Sequence, residues 1–272
     1  MPEQAALTRN LTDMHTPADW PVNETIERLL QHRTIRAFAD EPVEASTIAM
    51  LAEVCNRTAT STGMQQASWI RVTDKSLARE IAAVCKQDYV AEAAELWIFA
   101  ADCYRNSRLA DSHDSDGMGA NDMNRLTQAW TDAVLCAQNL TTAVESLGYG
   151  AVYLGSILND PAKIIDLLQL PKLTFPVLGV AFGRAAQSPQ FKPRMPVDLR
   201  TFENRYEAPA DYAAAFADYD QVMTQYYDLR NSNRRLDSFS SQVCQRLADK
   251  SPRRARILQD IAAQGFDLKA EG

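Results

Sequence analysis

The chain has 272 residues, of which 46% are hydrophobic and 23% charged, and carries a formal net charge of -7 at pH 7. That length suits one elaborated domain, and the composition excludes collagen-like, low-complexity and mostly disordered chains. The negative balance disfavours polyanion binding by the whole surface, so any phosphate site has to be local.

From the N-terminus, residues 1–23 lack the basic start and apolar core of a secretory signal and are expected to form an arm. No apolar run approaches the roughly 20 residues that span a bilayer. The five cysteines, Cys55, Cys85, Cys103, Cys136 and Cys244, are scattered without the close pairs of a zinc or CxxC site. Cytoplasmic residence in a reducing compartment is the expectation.

A first helix is predicted over 23–31, capped by Asn23, with Ile26, Leu29 and Leu30 on one face. It runs into HRTIRAF. A second helix over about 44–57 turns Ile48, Leu51 and Val54 or Cys55 inward and ends at the hydroxyl-rich TATSTG. Short apolar runs at 69–72, 96–101, 150–157 and 175–182 read as strands. Helical stretches separate them, which is a mixed α+β or α/β plan.

Residues 104–124 are acidic, glycine-containing and poor in apolar side chains, and are expected to be a mobile surface loop. Next, Leu126, Trp130, Ala133, Ala137, Leu140, Val144 and Leu147 repeat at alternating spacings of four and three, the stripe of a long helix. Leu135, Cys136 and Ala143 extend its apolar character, so a sheet or a second subunit should cover more than one side. After Gly183, QSPQFKPRMPVDL is extended by its prolines. From Asp211 to Asp267 the pattern is mostly helical, and Arg246–Arg256 reads as a solvated basic face.

Chemistry can gather at three places. His32, Arg33 and Arg36 need an anion, a carboxylate or solvent. Lys192 and Arg194 sit on a stiff segment where they could join such a cluster around one phosphate. Thr60, Ser61 and Thr62 offer hydroxyls and loop amides to a phosphate, a ribityl chain or a ring edge, or form a plain loop.

Other chemistries lack their residues. Gly148, Gly150 and Gly155 do not have the GxGxxG spacing of a dinucleotide-binding turn. No metal site is expected from His15, His32 and His113, none of which is spaced with a second ligand, and no GxSxG occurs. The chemistry is therefore expected to come from a bound cofactor, with no protein nucleophile.

The ordered pieces ETIERLLQHRTIRAF, TATSTGMQQ, AVESLGYGAVYLGSI, FPVLGVAFG, KPRMP and FENRY resemble the FMN-dependent, oxygen-insensitive nitroreductase and NADPH-flavin oxidoreductase family. The resemblance spans roughly 24–240. It implies a three-layer α+β fold, with a central mixed, mainly antiparallel sheet flanked by helices. It also implies an intertwined homodimer with two FMN at the interface. Residues 24–272 would then be one FMN-binding domain with a C-terminal helical extension.

By motif, His32, Arg33, Thr34 and Arg36 match the first FMN box, with Arg36 beside N1 and O2 of the ring. Lys192 and Arg194 match the phosphate clamp. Thr60, Ser61 and Thr62 match the serine-rich loop brought by the other subunit. Gln87, Tyr153, Leu154, Gly155 and Ser156 match ring-contacting positions, and DLRNSNRRLDS matches a loop near the nicotinamide nucleotide, where Arg230 and Arg235 either pair with the 2′-phosphate of NADPH or form a solvated helix end. The implied activity passes hydride from NADPH through FMN to a nitroaromatic, quinone or flavin acceptor by ping-pong exchange. Reductive dehalogenation or NADPH-independent oxidation on the same scaffold, and a non-catalytic nucleotide- or nucleic-acid-binding protein, are the alternatives. The resemblance implies neither a nucleic-acid nor a membrane partner.

Overall fold

Every residue of the run Glu95–Asp102 is buried, and it forms β2, at the middle of a sheet. The computed structural model describes residues 20–226, 237–248 and 251–269. They divide into two compact units: residues 34–188 with 251–269, and residues 20–33 with 189–226 and 237–248.

The first unit holds the sheet. Strands β1 (Ala67–Arg71), β2, β3 (Gly150–Leu154) and β4 (Thr174–Gly183) pair in the order β1-β2-β4-β3, all antiparallel. Parallel pairing is confined to single bridges, Thr34 with Ala151 and Asp122 with Asp267. Before the first strand comes α2 (Ala45–Asn56), and between the strands come α3 (Lys75–Cys85), α4 (Tyr89–Glu92), α5 (Tyr104–Asp111), α6 (Met123–Ser146) and α7 (Pro161–Leu167). Of these, α3, α6 and α7 begin on aspartates: Asp74, Asp122 and Asp160 each accept a first-turn N–H.

The sheet separates two apolar layers. On one face Leu126, Ala133, Cys136, Ala137, Leu140 and Val144 of α6 pack with Trp97, Phe99, Phe175 and Phe182, and Trp130 stacks on Phe175 at 5.9 Å. On the other, Ile81 and Cys85 of α3 and Ile164 of α7 pack with Ile98, Val152, Leu154 and Ala181. This helix–sheet–helix sandwich is an α+β fold. The stripe from Leu126 to Val144 is therefore a core face, but its expected last member, Leu147, lies just past the end of α6 and is exposed, as are Val134 and Leu135 on that helix.

Two expectations change. The third apolar run, 150–157, is a strand only to Leu154, because Gly155–Asn159 closes into a 3-10 turn. The segment 104–124 is not simply a loop: Tyr104–Asp111 is α5 and Met118–Asn121 a 3-10 turn. The Asp102 carboxylate accepts the Arg105 N–H and starts α5, yet no α5 residue is buried, so the helix has no apolar stripe to reveal it.

The second unit contains α1 (Glu24–Leu30), capped by Asn23 as expected, and an extended segment over 189–196. It continues with α8 (Tyr212–Gln225) and α9 (Phe239–Ala248), where Phe216 stacks on Phe239 at 5.6 Å. None of the α1 residues is buried. The last helix, α10 (Ile257–Ala263), belongs to the first unit, where Ile261 and Phe266 join the core.

Candidate functional site

The HRTIR motif is laid along β3. Thr34 bridges Ala151, the Ile35 N–H donates to the Ala151 carbonyl at 2.9 Å, and Ile35 is buried. The fit depends on Gly150: a Cβ there would lie 2.4 Å from Cγ1 of Ile35. Arg36 follows directly. Its Nε is buried and has no hydrogen-bond partner among the described residues, a costly condition for a donor of a charged group.

Arg33 lies in the other unit with the proline-rich segment. Its Nη1 donates to the Pro189 carbonyl at 3.3 Å, and its guanidinium carbon sits 3.9 Å from the Phe191 ring centroid, a cation–π contact. Arg33 of the HRTIR motif thus meets Pro189 and Phe191, in the run that leads into KPRMP. In that segment Arg194 is exposed and donates to the Lys192 carbonyl, while buried Tyr219 of α8 donates to the Pro193 carbonyl at 3.2 Å and anchors the run. His32 and Lys192 are both engaged in interactions.

In the first unit, α3 ends with Lys86 in the left-handed region, and the Gln87 N–H reaches back to the Ala82 carbonyl. That ending delivers Gln87 to the turn after β3, where Ser156 Oγ donates to Gln87 Oε1 at 2.9 Å. With its oxygen engaged, the Gln87 amide keeps its N–H groups for another acceptor. At Gly155 no atom lies within 4 Å of where a Cβ would stand, so the turn is open there. Leu154 is buried, and Tyr153 donates its hydroxyl to Gln138 on α6.

The turn is fastened by arginines expected to be solvated. Arg254 donates to the Gly155 carbonyl at 2.6 Å and to Asn159 Oδ1 at 3.0 Å, while Arg253 pairs with Asp160 at 2.5 Å and with Asp260 at 3.4 Å. Arg253 and Arg254 are therefore structural links, whereas Arg246 is exposed on α9. Spacing could not reveal this, since Asp160, Asn159 and Gly155 lie more than 90 residues away.

The Arg253 guanidinium holds the Asp160 carboxyl below the usual carboxylate range. Its contribution to stability is then complete above the ordinary aspartate range and is lost as pH falls through the depressed native value. Thermal melts from pH 7 to pH 3 should accordingly show Asp160→Asn slightly less stable at neutral pH, by about 1 kcal/mol or less for so exposed a pair. The gap to wild type should close in acid; a gap independent of pH would reject the role of the ion pair.

The hydroxyl loop is strained and braced. Thr62 (φ 53°), Gly63 (φ 71°) and Gln65 (φ 52°) are all left-handed. For the two non-glycine residues this costs about 1–2 kcal/mol each. Asp132 of α6 accepts the Ser61 N–H at 2.8 Å and the Gln66 N–H at 3.1 Å. From α5, Asn106 donates to the Met64 carbonyl at 2.9 Å, and Arg105 to the Gln65 carbonyl. Asp132 escaped sequence reading, although a carboxylate in the buried row Ala129, Asp132, Cys136, Leu140 was a readable signal that something there must donate to it.

Arg230 and Arg235 lie outside the described residues. Among the described residues no group of His, Cys, Asp and Glu could hold a metal ion, and no helix is long and apolar enough to cross a membrane.

Comparison with known proteins agrees with this architecture. The nitroreductase family model matches residues 29–184, and the model of that family's C-terminal domain matches 192–269. The oxygen-insensitive NADPH nitroreductase of Salmonella typhimurium is 35% identical over 246 residues, 90% of this chain and 99% of that protein. An NADPH-dependent oxidoreductase of Staphylococcus saprophyticus is 32% identical, covering 91% of this chain and 100% of its own length. Among solved structures, the NADPH:FMN oxidoreductase of Vibrio harveyi complexed with NAD+ superposes with a TM-score of 0.81 at 30% identity, covering 91% of this chain and 100% of that one. The NfrA1 nitroreductase of Bacillus subtilis gives a TM-score of 0.84 at 31% identity, covering 90% and 100%. This chain is a member of the nitroreductase family.

Proposed function

We propose that the protein is an FMN-dependent oxidoreductase that takes reducing equivalents from NADPH and delivers them to nitroaromatic, quinone or flavin acceptors. The observation that carries this reading is Arg36, whose buried Nε has no partner among the described residues and therefore fits a ligand that brings an acceptor. The donors left on Gln87 and the open turn at Gly155 fit the same flat, acceptor-rich group.

FMN, when bound, would supply the two-electron chemistry of a ping-pong exchange between NADPH and the acceptor. Everything else falls to the chain. Arg36 places fixed positive charge beside the N1 and O2 edge, where negative charge grows on reduction. Gln87, Tyr153, Leu154, Gly155 and Ser156 meet the ring. His32, Arg33 and Thr34 complete the first box, while Lys192 and Arg194 take the phosphate. Thr60, Ser61 and Thr62 supply hydroxyls from the other subunit of a homodimer, a reading supported by the exposed Val134 and Leu135 on α6 and Leu29 on α1. Arg230 and Arg235 pair with the 2′-phosphate of NADPH, and residues 24–272 act as one FMN-binding domain with a C-terminal extension.

The absorption spectrum of the purified protein tests the reading. A flavin spectrum that NADPH bleaches without oxygen is expected; a colourless protein that ignores added FMN would overturn it. Arg194→Ala should weaken FMN binding about tenfold or more, since a charge-assisted contact contributes about 1.5–3 kcal/mol. Equal flavin retention by variant and wild type would remove Arg194 from the phosphate site.

A further inference from the structure

The hydroxyl loop has more holding it in place than a plain loop requires. Three of its residues, Thr62, Gly63 and Gln65, are left-handed, and only one of them is glycine. Within the loop, the one main-chain bond runs from the Met64 N–H to the Ser61 carbonyl. Other restraints come from outside: carbonyls of Met64 and Gln65 are taken by α5, the Gln66 carbonyl by the Asp102 N–H, and the N–H groups of Ser61 and Gln66 by Asp132 alone.

Asp132 is 1% exposed and sits mid-helix in α6, where no helix terminus or turn explains a carboxylate. A carboxylate has two oxygens that only accept, so it can bind one N–H at each end of the loop; an amide of the same shape cannot. Asp132 and Thr60 also line one cavity of about 90 Å³, together with Thr58, Gln65, Trp69 and Arg105. The carboxylate therefore lies directly beneath the loop.

We infer that Asp132 is a positioning residue for FMN binding, holding Ser61–Gln66 in the left-handed arrangement that presents Thr60, Ser61 and Thr62 to the cofactor. This rests on the functional reading above. It also assigns the loop's strain a purpose: the conformation that suits the ligand is not the one the free loop prefers, and the buried carboxylate supplies the difference.

The test is Asp132→Asn, which keeps shape while replacing one acceptor by a donor. In the apo-protein, amide hydrogen exchange at Ser61 and Gln66 should accelerate at least tenfold while β2 and β4 keep their protection. FMN affinity, read by flavin fluorescence quenching on titration into apo-protein, should fall at least tenfold. Adding Gln65→Gly, which relieves one left-handed residue, should recover most of that loss. Faster exchange with unaltered FMN affinity would overturn the proposal, as would an Asp132→Asn chain that has lost its helical circular dichroism, which would make Asp132 a packing residue. Wild-type apo-protein that binds no FMN would instead overturn the functional reading, and the inference with it.

Discussion

Gly150→Ala should destabilise the protein by about 3 kcal/mol and detach the HRTIR segment from β3. The new methyl would lie 2.4 Å from Cγ1, 2.7 Å from Cβ and 2.9 Å from Cγ2 of Ile35. Contacts to the mobile end of a side chain can be relieved by a rotamer change, but Cβ moves only with the main chain. Ile35 is held by its own N–H on Ala151. Overpacking of this kind costs about 1–3 kcal/mol and a lost main-chain hydrogen bond about 0.5–1.5 kcal/mol. For a chain of this size the sum lowers the melting temperature by about 6–12 °C.

The double variant Gly150→Ala with Ile35→Gly should be less impaired than the two single changes added together, because the second removes Cβ along with both Cγ atoms that obstruct the first. Additive losses, or a Gly150→Ala protein that melts with wild type, would contradict the close approach. Since Thr34 and Arg36 flank Ile35, flavin affinity should fall with stability in the single variant and recover in the double.

Arg36→Met separates stability from binding. Methionine retains much of the apolar stem and removes the buried Nε that lacks a partner. A lone buried donor costs about 1–3 kcal/mol, so the apo-protein should melt no lower than wild type, or slightly higher. FMN affinity should nevertheless drop by at least tenfold if, as proposed above, the same atom is the donor offered to the cofactor. Titration calorimetry alongside thermal melts of the apo-protein checks both halves. A variant with unchanged FMN affinity would remove Arg36 from the site, and a sharply destabilised one would mean the guanidinium is satisfied within the fold.

Much of this arrangement was legible in residue order, for a physical reason: local periodicity records burial on one face. The four-three stripe of α6 appears as the buried face of Met123–Ser146, and the apolar run in β2 appears as a strand buried on both sides. Asn23 caps α1 as its side chain demands. What stayed hidden depends on partners far along the chain. The helix α5 buries nothing and is fixed by Asp102, so its composition resembles that of a loop. Arg253 and Arg254 look like any basic surface until Asp160 and Gly155 are seen beside them. Arg36 was picked out by its motif, but its unpartnered Nε is a property of three-dimensional packing.

The fastening of the Gly155–Asn159 turn by Arg254 has a consequence for biogenesis. A chain emerging from the ribosome completes β3 and its turn nearly a hundred residues before the arginine that secures them is made. A nascent polypeptide paused within residues 189–250 would carry every residue of that turn proposed to meet the flavin yet lack its final latch. Competence to retain flavin is thus expected to arrive late in synthesis, and ribosome-stalled chains of increasing length, probed with FMN, would reveal it as a step after Arg254 has cleared the exit tunnel.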